Sequence, residues 1–382
     1  MAQSDLTRRQ ALNRIALLGA AGFAPLFLEA RAARAADLTV GFIYIGPRDD
    51  WGWNQSFAAA AEALSALPGV DVIEAGYLPE STNYADGKST AETEAYLAAL
   101  KGLVAADGAR IVFTTSFGND PFLLATAASH AAAAFRNAAA SPWSRQPNLA
   151  SQNGLINQGH YVNGVAAGLC TRTNKLGFVA GEAFGTVLLN VNSFLIGSRR
   201  SNAAATVQVT FTGGWEDAGP EAAATNALID AGCDVIACHL DSPKVVIETA
   251  EGRGVRTCGH AFDQAPLAPK GYVTGAEYRW AGLFGTFVEL FRRGETLPDF
   301  ITGGYDKGYV GSSPFGAGAT PQAIAAAGTA IEAMRKSEPI FVGPIRDNAG
   351  KVVIPAGTTY GPYAAQLQST AYLIEGVIGS IP

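Results

Sequence analysis

Short apolar runs alternate with Ala-rich helical patterns along nearly the whole chain, and that alternation restricts the fold more than any single motif does. Leu38 to Ile45, Val70 to Glu74 and Arg110 to Thr115 read as strands, with helical periodicity over Gln55 to Leu67 and Ala91 to Ala106 between them. Strand, helix and strand in that order call for a parallel sheet with helices on its faces. The order restarts at Lys175 to Ala180 and continues through Val207 to Thr212, Asp234 to His239 and Val255 to His260, with helices at Leu188 to Ser198, Glu221 to Ala231 and Pro243 to Arg253. Two α/β units are expected rather than one long sheet. The 382 residues agree, because single cores stop growing at roughly 250 to 300 residues.

Between the units, Ala138 to Gly159 is rich in Ser, Asn, Pro and Gln and reads as a loop and crossing segment. Thr274 to Trp280 and the Gly-rich Thr302 to Gly318 are further candidate crossings. Three crossings would let two lobes hinge about a cleft. Lobe 1 then takes residues 36–157 and 281–303, and lobe 2 takes 158–280 and 304–382. The tail adds a helix, Pro321 to Lys336, and a hairpin, Ile340 to Ile354, turning at Asn348-Ala349-Gly350.

Residues 1–35 have the layout of a cleaved export signal. A basic start leads into the apolar run Ala16 to Leu28, and Ala33-Arg34-Ala35 supplies a small-x-small cleavage site. Thr7-Arg8-Arg9-Gln10-Ala11-Leu12 is similar to the twin-arginine export motif. No cysteine precedes Cys170, so a lipidated N-terminus is not expected, and the product should be free in the periplasm. Removing five Arg and two acids with the signal moves the formal charge from -6 to -9. Such an acidic chain is a poor partner for nucleic acid or an anionic membrane. Cys170, Cys233, Cys238 and Cys258 form no CxxC pair. Cys238 and Cys258 fall near the ends of successive strands, so either a disulfide or buried free thiols would fit.

Cofactor and catalytic motifs are absent. GxGxxG after the first strand and GxxxxGK are both missing, and Gly316-Ala317-Gly318 reads as a flexible loop. Thr114-Thr115-Ser116-Phe117-Gly118 ends a strand without the spacing of a nucleophile elbow. His130, His160, His239 and His260 show no metal-site spacing. His239 and His260 end successive strands near Asp241 and Asp263, a constellation that suits acid–base chemistry with Ser116 or ligand hydrogen bonding.

The densest chemistry follows the first strand, where Asp49-Asp50-Trp51-Gly52-Trp53-Asn54 leads straight into a helix. In open α/β sheets ligands sit at the carboxyl ends of strands. Two indoles in a loop suit a flat ring's face, and Asp50 and Asn54 suit its edge. The other reading is surface Trp covering a helix end.

These residues resemble the basic membrane protein family of ABC-transporter substrate-binding proteins. The likeness runs through Gly41 to Asn54, Phe113 to Gly118, Asn192-Ser193-Phe194, Trp215-Glu216-Asp217, Ala227 to Ile236, His239 to Pro243 and Gly259 to Gln264. It implies a two-lobed periplasmic-binding-protein (type I) fold with three crossovers, a purine base or nucleoside as ligand, and permease and ATPase subunits as partners. On the matched positions Trp53 and Trp215 would stack on opposite faces of the ring, with Asp50, Asn54, Ser116, Asp241 and Asp263 at its edge. Trp51, Phe117 and Glu277 complete the candidate set. Phe117 can also be read as core, Glu277 as hinge, and Asp217 as the cap of the next helix. Nucleoside-binding members carry a sugar-contacting Lys in the second crossing, where this chain reads Thr274-Gly275-Ala276-Glu277-Tyr278-Arg279-Trp280. A free base is therefore favoured over a nucleoside. A receptor for a sugar, amino acid or urea-like solute, or a periplasmic hydrolase using Ser116 with His239 or His260, are the alternatives.

Overall fold

The computed structural model describes residues 37–76, 91–144 and 146–382. The segment read as an export signal lies outside the described residues.

The first sheet is wholly parallel. It is built from β1 (Leu38–Ile43), β2 (Val70–Ala75), β3 (Ile111–Phe117), β4 (Ala134–Ala138) and β5 (Leu149–Gly154), and it is completed late in the chain by β11 (Phe300–Gly303). Its order is β11-β5-β4-β3-β1-β2. Helices α1 (Trp53–Ser65), α2 (Ala91–Ala105) and α3 (Pro121–Ser129) link the early strands, as a parallel sheet requires. The second sheet holds β6 (Lys175–Ala180), β7 (Thr206–Phe211), β8 (Val235–His239), β9 (Arg256–Ala261), β10 (Tyr272–Tyr278), β12 (Val310–Ser312) and β17 (Val377–Ile378). Its order is β12-β10-β9-β8-β6-β7-β17, and only the β10–β12 pair is antiparallel. Helices α4 (Asn157–Cys170), α5 (Gly185–Ser201), α6 (Ala218–Asp230), α7 (Lys244–Gly252) and α9 (Pro321–Arg335) cover it, while α8 (Trp280–Arg292) packs on α1 of the first lobe.

The chain passes between the sheets three times: after β5 into α4, through Arg279 from β10 into α8, and between β11 and β12. The first two passages touch. A Cβ on Gly154 would lie 2.7 Å from the Tyr278 ring, so only glycine lets them approach so closely.

Three sequence expectations change. The polar stretch Ala138 to Gly159 contains strand β5, whose Ser151, Gln152 and Asn153 are buried between β4 and β11 rather than solvated. Thr274 to Trp280 is mostly strand β10, so the passage itself is a single residue. In the tail, β14 (Ile345–Arg346) and β15 (Val352–Ile354) form the hairpin around Asn348. The earlier β13 (Phe341–Val342) pairs instead with β16 (Thr359–Tyr360), and a short α10 (Ala365–Gln368) follows.

Each lobe has its own core. In the first, Phe42, Phe57, Phe113, Trp280 and Phe284 build an aromatic lattice, with Phe113 stacked 4.0 Å from Phe284. In the second, Phe178 and Phe194 sit among aliphatic residues of α4, α5 and the sheet. All four cysteines are buried free thiols, which settles the two readings in favour of packing.

Candidate ligand-binding site

A cavity of about 190 Å³ opens between the lobes at the carboxyl ends of the strands, where an α/β sheet presents its loops. Trp53 and Phe117 reach it from the first lobe, Phe184, Trp215, His239 and Asp241 from the second, and Tyr278 from the second passage. Asn153, Asn157, Asn190 and Gln368 add amides, and Asp241 is the sole charged residue of the lining among the described residues.

Trp53 belongs to both core and cavity. Its ring stands edge-on to Phe57, Phe117, Tyr278 and Trp280, and its indole N–H donates to the Thr115 carbonyl at 2.8 Å. Only 6% of it is exposed, so Trp53 is chiefly a core residue with one edge in the cavity rather than a surface Trp. Trp215 is half-buried beside Phe184, with ring centroids 5.6 Å apart. Phe184 and Phe117, at 50% and 43% exposed, stand at the mouth. The aromatic groups thus come from opposite lobes.

The polar loop residues are placed elsewhere. Asp50 is buried, and its carboxylate accepts the backbone N–H groups of Gly52, Asn54 and Gln55 and the Asn54 amide, at 2.7–3.0 Å. It satisfies the orphan donors at the start of α1. Desolvation raises its pKa while those donors oppose the rise. Asn54 accepts from the Thr115 hydroxyl. Ser116 shares a hydrogen bond with Thr114 and has no histidine partner among the described residues. Asp263 accepts from the Ala265 N–H, and Glu277 pairs with Arg279 at 3.5 Å. None of these five lines the cavity, nor does Trp51. The physical reason is shared: each polar group is already engaged by a protein partner. Asp217 likewise caps α6, accepting from Gly219 while Glu221 accepts its own N–H.

What the β1–α1 loop does instead is hold the other lobe. Trp53 N–H donates to the Asp241 carbonyl at 2.9 Å, Ser242 Oγ donates to the Asp50 carbonyl at 2.9 Å, and Gln264 Nε2 donates to the Trp51 carbonyl. Trp51 adopts φ 63° to present that carbonyl, a left-handed backbone uncommon for a bulky residue.

Sequence reasoning did not single out Phe184, Asn190, Asn153 or Gln368 for the site. An exposed Phe before a helix carries no pattern, and the amides sit on elements that look merely structural. Tyr278 lay in a segment read for its Glu. His160, His239 and His260 offer ring nitrogens within 4.8 Å of one another and could be read as a metal site. However, metal-bound histidines almost always donate their second nitrogen to an acceptor, and His160 Nδ1 has no partner.

Comparison with known proteins agrees with this fold. The model of the ABC transporter substrate-binding proteins termed Bmp, or PnrA-like, matches residues 38–317. The chain belongs to that family. It is 29% identical to a purine-binding protein of Brucella abortus (strain 2308), over 87% of this chain and 91% of that protein. It is 27% identical to a Haloferax volcanii protein named for glucose binding in an ABC transporter, over 71% of this chain and 65% of that protein. Among solved structures, an ABC transporter solute-binding protein of Conexibacter woesei superposes with a TM-score of 0.62 at 20% identity, covering 79% of this chain and 97% of that one. The two-lobed periplasmic-binding-protein fold follows. Proteins of this family bind small ligands and work with permease and ATPase subunits. Among the described residues no helix is long and apolar enough to cross a membrane.

Proposed function

We propose that this protein is the exported, periplasmic receptor of an ABC importer and that it captures a purine-like nucleobase between its lobes without chemical conversion. The observation that carries the reading is a cavity faced by aromatic side chains from both lobes, whose lining among the described residues holds no cation and one carboxylate. Aromatic faces suit a flat ring, each contact adding about 0.5–1.5 kcal/mol beyond burial. Among the described residues the lining offers no cation, which weighs against amino acids and nucleotides, whose carboxylate or phosphate would be desolvated without a partner. A free base is favoured over a base carrying its sugar because Thr274 to Trp280 offers no Lys where nucleoside-binding members contact the sugar. Similarity to the purine-binding protein of Brucella abortus supports the same class.

The hydrolase alternative loses its support because Ser116 is bonded to Thr114 rather than to a histidine. The test is a melting screen of unfolded-and-refolded protein, free of carried ligand, against bases, nucleosides, sugars and amino acids. A true ligand at about 100 times its Kd adds ~2.7 kcal/mol of stability. Shifts with bases and none with sugars are expected. A shift with glucose and with no purine would overturn the nucleobase reading while leaving the fold intact.

A further inference from the structure

Beneath the cavity lie three histidines whose arrangement a stacked-ring site does not by itself require. His160 of α4, His239 at the end of β8 and His260 of β9 are drawn from positions up to 100 residues apart. The His239 and His260 rings lie 4.1 Å apart, and the His160 and His260 rings 5.1 Å apart. Burial keeps all three neutral: desolvation lowers His239 to about 3 and takes His160 and His260 well below the ordinary 6.5. A neutral imidazole carries one N–H and one lone pair, so each ring donates on one side and accepts on the other.

The neighbours decide which side is which. Asn190 Nδ2 lies 2.7 Å from His239 Nδ1. An amide nitrogen only donates, so with Asn190 in this orientation Nδ1 of His239 takes the lone pair and Nε2 the proton. His160 Nδ1 is enclosed with no partner. Orphaned N–H groups are the rarer kind of unmet polar group, which puts a lone pair there and the proton on Nε2. That proton is donated to His260 Nδ1 at 2.9 Å, so His260 also keeps its own proton on Nε2. All three rings share one tautomer. The Nε2 atoms of His239 and His260 have no protein partner among the described hydrogen bonds, and His239 lines the cavity.

We propose that the stack and Asn190 fix His239 as a hydrogen-bond donor toward the cavity, so that the ligand edge set against it carries acceptors, as a 6-oxopurine does. This rests on the nucleobase reading above and names the edge recognised. The O6 and N7 atoms of a 6-oxopurine both accept, whereas adenine places a donating amino group beside N7. An amino group there would set donor against donor, so adenine should bind about 10- to 100-fold more weakly than hypoxanthine, the discrimination expected of a base-edge contact.

The experiment has two arms on the refolded full-length mature protein. Imidazole ¹⁵N NMR of the ligand-free protein at pH 7 reads the tautomers, and the expected result is Nε2–H for His239. Calorimetry compares hypoxanthine with adenine, and guanine with 2,6-diaminopurine. A 6-oxo preference of 10-fold or more in both pairs is expected. An Nδ1–H tautomer at His239, or 6-amino partners that bind equally well, would overturn the proposal. So would titration with Zn²⁺ that binds one ion through the three rings. Binding of no purine would overturn the nucleobase reading, while the tautomer assignment is judged on the free protein by NMR alone.

Discussion

Replacing Gly52 by alanine tests how the lobes are held together. A Cβ at that position would lie 2.1 Å from the Asp241 carbonyl oxygen and 2.5 Å from Pro243 Cδ, well inside the 3.0 Å below which real Cβ contacts essentially do not occur. Either the β1–α1 loop or the Asp241–Pro243 loop must withdraw by nearly an ångström. That movement stretches the bonds from Trp53 N–H to Asp241, from Ser242 to Asp50 and from Gln264 to Trp51. At about 0.5–1.5 kcal/mol net each, closure loses roughly 1.5–4.5 kcal/mol. On the proposed function ligand binds only to the closed form, and the loss then appears in the apparent affinity. The expected increase in Kd is roughly 10- to 1,000-fold at about 1.4 kcal/mol per tenfold. Calorimetry gives Kd, and small-angle scattering gives the radius of gyration with and without ligand. Ser242→Ala, which removes one bond and adds no clash, should weaken binding by only about 2- to 10-fold. If Gly52→Ala binds within about threefold of the parent and contracts normally, the contact does not govern closure and the reasoning fails.

The two cavity tryptophans should respond differently to truncation. Trp53→Ala should destabilise the fold by about 3–5 kcal/mol in chemical denaturation, because most of its ring lies in the core. Trp215→Ala should cost about 10-fold or more in ligand affinity with a much smaller change in stability, since its ring is half-buried at the cavity wall. Acid should unfold the protein through its histidines. His160, His239 and His260 have folded pKa values below the unfolded ~6.5, so the unfolded state binds more protons and stability falls as pH drops from ~6.5 toward about 3. Each contributes up to ~1.4 kcal/mol per pH unit, and a melting temperature flat between pH 6.5 and 5 would refute the neutral stack. Reductant should leave the melting temperature unchanged, with no thiol reacting in the native state and all four reacting in denaturant, since each cysteine is free and buried.

The fold was readable because its signals are local. Lys175–Ala180 is an apolar run before a helix, and it appears as β6 with the same ends. Pro321 and the Thr320 cap likewise mark α9, which begins as its sequence suggests. Strand β5 was hidden because its Ser151, Gln152 and Asn153 look like a loop, and only their place between two other strands makes burial tolerable. In the site, Trp53, Phe117, Trp215 and Asp241 were legible as aromatic or acidic residues at strand ends. The places of Asp50, Asn54 and Asp263 were not, because a carboxylate or amide bonded within the protein has the same letters as one that meets a ligand. Nor could sequence bring His160 to His260, 100 positions away.

These placements divide the work between the lobes. The β1–α1 loop is rigid because Asp50 satisfies its backbone donors, and a rigid loop loses little entropy when its carbonyls meet Ser242 and Gln264 of the second lobe. Those contacts form whichever ring occupies the cavity, so they strengthen closure without choosing among ligands. Choice must come from groups that read a ring's edge, and His239, Asn190 and Asp241 all belong to the second lobe. A ligand shifts the open–closed balance only by its differential affinity for the closed form. On the proposed reading it gains that difference by touching Trp53 and Phe117 on one side and Trp215 and Phe184 on the other, which line one cavity from opposite lobes. Substitutions at Gly52 or Ser242 should therefore scale all affinities by one factor, whereas substitutions at His239 or Asn190 should change their order.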